Sequence, residues 1–326
     1  MSKILYTEIP SLDLADFNSN DPEKKADFVQ NLGNAYQNIG FVAIKNHGLT
    51  ADLQARLYEA IQVFFSLDDE IKLKYEKPEI GYQRGYTGKG KESAKGRNTG
   101  DLKEFYHVGQ DLDHIPDEDS IKGDYPPNVW PEEIKEFREV SLKVYSAIEK
   151  AGKTMLQAIA LHLGLPEDYF EDKVAFGNSI LRPIHYFPIE DPEAVPSDAV
   201  RAAEHGDINL ITLLMGASAD GLEVLRNDGQ WIPITALPDQ LVVNVGDMLE
   251  RLTNKKLKST IHRVANPPKE KMNTSRYSIP FFMHPRSEMD LTCLENCIDD
   301  EHPKQFEDAT AGEFLEERLK ELGLKV

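Results

Sequence analysis

The chain reads as mainly β with flanking helices: a jelly roll in its second half behind an α-helical N-terminal part. Two observations predict this. From about residue 179 to 285 the apolar residues come in short runs, broken by turn signals such as Asp220-Gly221 and Asn227-Asp228-Gly229. Short strands closed by regular turns make a jelly roll. Before residue 165 the apolar residues recur instead at three- and four-residue steps, the period of an amphipathic helix. No internal repeat is evident.

Taken in order, Ile9 to Leu14 is a short strand. Pro22 to Asn38 is a helix carrying Phe28, Leu32 and Tyr36 on one face, and Gly40 ends it. Phe41 to Ile44 is an apolar strand and Asn46-His47-Gly48 a turn. Thr50 to Phe65 is a second helix, and Ser66 to Glu70 resembles the cap and first turn of a third. Gly81 to Gly100 reads as a loop rich in glycine and basic residues. Within it, Gly85 to Glu92 is nearly a P-loop, but Glu92 stands where Ser or Thr should hold magnesium, and no buried strand precedes it. Asp101 to Gly109 is a strand. A Pro- and Asp-rich connection follows, then the longest helical pattern, Pro131 to Leu163, which Gly152 is placed to bend. His162 near its end reads as a cap partner, His107 as a packed histidine and His47 as a turn histidine.

The strands of the second half are expected at Ser179 to Phe187, Asp207 to Met215, Glu223 to Arg226, Trp231 to Ile234, Leu241 to Val245, Leu257 to Val264 and Thr274 to His284. Ala309 to Leu322 is a terminal helix, a cover over the barrel mouth or a surface element. The divisions expected are 1–110, a connection and scaffold helix over 111–178, the core over 179–290 and a C-terminal segment over 291–326, together one structural unit.

Composition narrows the function. The chain has 326 residues, 40% of them hydrophobic, and a net charge of −19. Such an acidic chain repels nucleic-acid phosphates and anionic membranes. Cys293 and Cys297 form no C-x-x-C pair, which argues against a disulfide framework or a zinc site. The first residues show no apolar signal region, and no run has the length of a membrane span. A cytoplasmic, reduced setting is the expectation, with a small molecule as partner and with neither nucleic acid nor membrane.

The chemistry concentrates between Arg201 and Pro285. His205-Gly206-Asp207 comes first, then His262, then Arg276-Tyr277-Ser278. In a strand, residues i and i+2 share a face. His205 and Asp207 then project together, as do Arg276 and Ser278. Two imidazoles and a carboxylate make a facial metal site with open positions, which suits non-haem Fe(II). An arginine and a hydroxyl on one face suit a carboxylate. H-x-D alone is a weak signal; H-x-D, Gly246-Asp247, His262 and Arg276-Tyr277-Ser278 in this order are a strong one. Together they suggest an Fe(II) oxygenase fed by a 2-oxo acid.

These residues carry a resemblance that spans Ile9 to Pro285. Beside the H-x-D and R-x-S motifs stand Ser259-Thr260-Ile261-His262-Arg263-Val264 and Gly246-Asp247-Met248-Leu249-Glu250-Arg251-Leu252-Thr253-Asn254. Earlier come Gly40 to Gly48 and Asp101-Leu102-Lys103-Glu104-Phe105. The chain resembles the isopenicillin N synthase-like branch of the Fe(II)/2-oxoglutarate dioxygenases, whose core is a cupin-like double-stranded β-helix. The resemblance implies Fe(II) on His205, Asp207 and His262, 2-oxoglutarate on Arg276 and Ser278, oxygen as oxidant and ascorbate as an accessory reductant. A further aromatic contact to the co-substrate falls on Tyr186 or Phe187, which lie on opposite faces. The basic loop borders the active site in relatives, so Tyr82, Arg84, Tyr86 and Arg97 become substrate candidates, and an anionic substrate is expected. Oxidative decarboxylation to succinate would be coupled to oxidation, usually hydroxylation, of a C–H bond. Three alternatives stay open: an oxidase that uses no 2-oxo acid, a non-catalytic cupin-like binding module, and a zinc hydrolase.

Overall fold

The apolar runs of the second half become strands, and the strands sort into two facing sheets. The computed structural model describes residues 4–91, 103–115, 125–189, 201–216, 221–234, 237, 239–267 and 269–321. Its strands are β1 (Ser11–Asp13), β2 (Phe41–Lys45), β3 (Gly85–Thr87), β4 (Lys103–Gly109), β5 (Ile180–Leu181), β6 (Ile184–Tyr186) and β7 (Ala202–His205). They continue with β8 (Ile211–Met215), β9 (Leu222–Leu225), β10 (Trp231–Pro233), β11 (Leu241–Val245), β12 (His262–Val264) and β13 (Arg276–Met283). The larger sheet runs β1-β2-β11-β8-β13-β5-β4-β3, with β6 pairing β13 and β4. The smaller runs β10-β9-β12-β7.

Side-chain alternation gives each strand of the larger sheet two different neighbours. Tyr106, Val108, Leu213, Met215, Val243, Ile279, Phe281 and Met283 join the main core with the helices. The intervening residues face the smaller sheet. Val242 meets Val224 and Ile232, and Phe105, Ile184 and Tyr186 meet Ala202 and Val264. The two sheets therefore enclose an interior, as a jelly roll requires.

The helices back the larger sheet. Pro22–Asn38 starts where Asp21 accepts from the Glu23 and Lys24 amides, with proline at its first position. Ala51–Phe65 is capped by Thr50. The long helix is Phe137–His162. It begins later than its periodicity suggests, because Glu132 and Glu133 are tied instead to the Tyr75 hydroxyl. Gly152 does not interrupt it. A Cβ there would meet Met283 Sδ at 2.6 Å, so glycine serves the close approach of helix to β13.

Other expectations change locally. Three residues of the presumed Gly81–Gly100 loop form β3, which pairs with β4 in the register Gly85↔His107; residues 92–100 lie outside the described residues. The Asp247–Leu252 segment is a short helix. Ser66 closes the preceding helix, and Asp68 opens the next. His162 does not cap: its Nε2 lies 3.0 Å from Gln37 Nε2. The terminal helix, Ala311–Glu321, buries Ala311 and Phe314, and Arg251 lies over the Phe314 ring. It packs against the Asp247–Leu252 helix.

Candidate metal centre and co-substrate clamp

β7 and β12 are neighbours in the smaller sheet, and their register sets His205 opposite His262. The ring centroids are 4.4 Å apart. Strand alternation does not supply Asp207, because β7 ends at His205. The Gly246-Asp247 segment holds the following turn in place. Asp247 N–H donates to the Asp207 carbonyl at 2.7 Å, and Met248 N–H to the Ile208 carbonyl at 3.1 Å. This approach needs glycine, since a Cβ on Gly246 would stand 2.2 Å from the Asn209 carbonyl oxygen. Asp207 Oδ1 then lies 4.0 Å from His205 Nε2 and 3.8 Å from His262 Nε2. One donor atom of each residue falls within 4.8 Å of the others.

Each donor is held from behind. His205 Nδ1 lies 2.7 Å from the Ala203 carbonyl and His262 Nδ1 lies 3.1 Å from the Thr260 carbonyl. A carbonyl only accepts, so Nδ1 carries the proton in each ring and Nε2 keeps its lone pair. Asp207 Oδ2 accepts from Thr212 Oγ1 at 2.6 Å and from Asn244 Nδ2 at 2.8 Å, which directs Oδ1 to the imidazoles. Burial alone would raise the Asp207 carboxyl. The two histidines, then Asn244 and Thr212, outweigh it and hold the group below the usual carboxylate range. Desolvation, then His262, lowers the His205 imidazole below its ordinary value. The His205 side chain is 44% exposed and Asp207 6%, so the cluster opens to solvent on the His205 side. Two imidazoles, each with Nδ1 held by a backbone carbonyl, and a carboxylate with one oxygen committed elsewhere fit Fe(II) with open positions.

Arg276 and Ser278 lie on the inner face of β13, both buried. β6 pairs with β13 so that Tyr186 stands opposite Arg276 and Ile184 opposite Ser278. The Arg276 guanidinium lies 5.0 Å over the Tyr186 ring. The two neighbouring aromatics differ in their relation to Arg276. Tyr186 shares the face of Arg276, whereas Phe187 turns to the other side, 5.1 Å from the His185 ring. The Arg276, Ser278 and Tyr186 set offers a carboxylate a guanidinium fork and two hydroxyls.

The substrate candidates fare differently. Tyr86 joins the helix-side core and donates to Glu104 at 2.5 Å. Arg84 is buried against Gly109, with Nη1 donating to the Gln83 carbonyl at 2.7 Å. Tyr82 is half-buried, and its carbonyl lies 2.9 Å from His107 Nδ1. Arg97 lies outside the described residues. The sequence reading passed over a different group on the inner face. Arg182 is stacked 4.6 Å from the Phe105 ring and 5.0 Å from the Phe282 ring, and its Nε donates to His107 Nε2 at 2.6 Å. Phe282 pairs across the sheet with Thr212, which holds Asp207. Nearby His284 is buried with Nδ1 unbonded among the described residues. Burial, opposed by Asp207 and assisted by Arg182, lowers its imidazole to about 4. The missed signal was parity: Arg182 is the one charge among the inward positions Ile180, Arg182, Ile184 and Tyr186.

Known proteins share this fold. Residues 177–285 match the 2OG-Fe(II) oxygenase superfamily, and residues 9–133 match the family described as the N-terminal region of non-haem dioxygenase in morphine synthesis. The chain is 33% identical over 297 residues to a 2-oxoglutarate-Fe(II) type oxidoreductase, hxnY, of Emericella nidulans, covering 89% of this chain and 83% of that one. A 2OG-Fe(II) oxygenase family protein of Caulobacter crescentus superposes with a TM-score of 0.84 at 42% identity, covering 96% and 98% of the two chains. Neurospora crassa T7H, solved with alpha-KG and 5-formyluracil, gives 0.82 at 30% identity, covering 95% of each. With the triad and these likenesses in agreement, the chain belongs to the 2OG-Fe(II) oxygenase superfamily and is a non-haem Fe(II)/2-oxoglutarate-dependent dioxygenase.

Proposed function

We propose that this enzyme hydroxylates a C–H bond of a small anionic molecule, in a reducing cytoplasmic setting. Iron and 2-oxoglutarate supply the oxidising chemistry: one oxygen molecule, 2-oxoglutarate and substrate R–H become succinate, carbon dioxide and R–OH. His205, Asp207 and His262 fix the metal in one orientation. Arg276, Ser278 and Tyr186 hold the far carboxylate of the co-substrate. The inward walls of Phe105, Ile184, Ala202 and Val264 exclude water from the space between the sheets.

The observation that carries the substrate class is Arg182. Its charge is set between two aromatic faces on the inner wall, beside the strand pair that holds Asp207. His107 fixes its direction, because Nδ1 of that ring donates to the Tyr82 carbonyl and Nε2 accepts from Arg182. A stacked guanidinium recognises planar carboxylates and similar anions. The aromatic rings beside it favour a flat or apolar body. Among the described residues no helix is long and apolar enough to cross a membrane.

The test is succinate release by anaerobically reconstituted Fe(II) protein, given 2-oxoglutarate and then oxygen. A slow basal release is expected without substrate, absent in Asp207→Ala. Small carboxylates with aromatic or apolar bodies should accelerate it, with a hydroxylated product seen by mass spectrometry. Acceleration by neutral or cationic compounds alone would overturn the anionic assignment. Oxygen uptake that does not depend on 2-oxoglutarate would overturn the hydroxylase reading.

A further inference from the structure

Arg201 stands four residues before His205, with only 1% of its surface exposed. Its Nη2 donates to the Thr274 carbonyl at 2.6 Å, and its backbone N–H to Asn266 Oδ1 at 3.0 Å. Thr274 is two residues from Arg276, so the contact brings Arg201 to the end of β13 that carries the clamp. Arg276 is the cation that acts on Arg201: after burial, it holds the Arg201 guanidinium below its ordinary value, and among the described residues no acidic group opposes it. Among the described residues its buried Nε has no hydrogen-bond partner.

Burying a cation without a carboxylate beside it is costly, and a neighbouring cation adds to the cost. An arrangement of this kind is relieved when an anion arrives. A carboxylate placed on Arg276, Ser278 and Tyr186 would be attracted by both guanidiniums, whereas a ligand lacking that carboxylate would leave them opposed. We propose that Arg201 is a specificity residue of the co-substrate site: its charge, added behind Arg276 and Tyr186, selects a 2-oxo dicarboxylate over 2-oxo acids that lack the far carboxylate. The inference rests on reading Arg276, Ser278 and Tyr186 as the clamp. The latch to Thr274 has an ordinary alternative, a brace between β7 and β13, and the experiment separates the two.

Calorimetric titration of the anaerobic Fe(II) protein with 2-oxoglutarate and with 2-oxobutyrate gives the comparison. In Arg201→Met, 2-oxoglutarate affinity should fall about tenfold or more, the weight of one charge in a partly buried site. The weaker 2-oxobutyrate affinity should stay within about twofold, and Arg201→Lys should recover most of the loss. Parallel weakening of both ligands, or no weakening of either, would make Arg201 a brace and overturn the proposal. Should Arg201→Met not fold, Arg201→Gln, which keeps a donor for the Thr274 carbonyl, carries the same comparison. Arg276→Met is the control: if it binds 2-oxoglutarate as tightly as the parent, the clamp itself is misread. If it weakens while Arg201→Met does not, only the role of Arg201 falls.

Discussion

Asn244 donates to Oδ2 of Asp207 at 2.8 Å, from a strand of the larger sheet to a ligand in the turn that follows β7 of the smaller one. With Thr212 it uses one carboxylate oxygen and turns the other to the metal position. Partners of this kind typically contribute about 10–100-fold to metal affinity. Asn244→Leu should therefore weaken Fe(II) binding by that order, and Thr212→Val should do the same. Because both act on one oxygen, the double variant should lose less than the product of the two. Anaerobic metal titration decides it, and unchanged affinity in both single variants would leave Oδ2 without a role.

Arg182 should separate substrate from co-substrate. It lies against Phe105 and Phe282 and donates to His107. Arg182→Met should leave basal succinate release and 2-oxoglutarate affinity near parental values. It should raise the KM for an accelerating carboxylate by about 10–100-fold, the loss expected when a charge-assisted hydrogen bond is removed. Steady-state kinetics with the first active carboxylate provides the check. An equal loss in basal turnover would place Arg182 in the metal's support instead.

Gly40 is a backbone requirement. It closes the Pro22–Asn38 helix with a φ of +73°, and a Cβ there would stand 2.4 Å from the Lys258 carbonyl oxygen. Gly40→Ala should cost well over ~1 kcal/mol through the left-handed backbone and the clash together. A shift of the urea midpoint without a change in slope would measure it.

What could be read before folding was whatever the chain states locally. The helix over Pro22–Asn38 declares itself through Asp21, Pro22 and the Phe28, Leu32, Tyr36 stripe. His262 and the Arg276-Ser278 pair lie in strands whose alternation survives in the structure. The failures share a cause. β3 is three residues long and exists because β4 pairs with it, so Gly85-Tyr86-Thr87 in isolation resembles loop. Asp207 reaches the histidines through a turn held by Asp247 and Met248, contacts that no local pattern encodes. Tyr186 and Phe187 differ only in parity, which the pairing with Arg276 sets. Arg84 and Arg182 are both single arginines near apolar residues. Parity with Ile180, Ile184 and Tyr186 puts Arg182 on one face, and the register shows that this face is the inner wall.

Glu104 gives the clearest dependence on pH. It is buried on the helix side of β4 and accepts from Lys72 Nζ at 2.9 Å, Tyr86 Oη at 2.5 Å and His185 Nδ1 at 2.7 Å. His185 in turn lies 2.9 Å from Ser275 Oγ, beside Arg276, so the network braces the clamp from outside the sheet. Burial by itself would raise the Glu104 carboxyl. The hydrogen bonds from His185, Tyr86 and Lys72 outweigh it, and the group ends below its usual 4.5. A carboxyl depressed on folding stabilises fully above its unfolded value and loses that contribution as pH falls through the folded one. Stability should therefore hold above about pH 5 and decline as pH falls below the unfolded glutamate value of 4.5. Glu104→Gln removes the charge opposite Lys72, whose side chain is 5% exposed. It should cost about 3–5 kcal/mol at pH 7, the usual result of leaving one member of a buried pair alone. It should also flatten the acid limb, because the group that titrates is gone. Thermal unfolding of parent and variant between pH 3 and pH 8 tests both effects, and an acid limb of unchanged steepness in the variant would assign the acid sensitivity to other carboxylates.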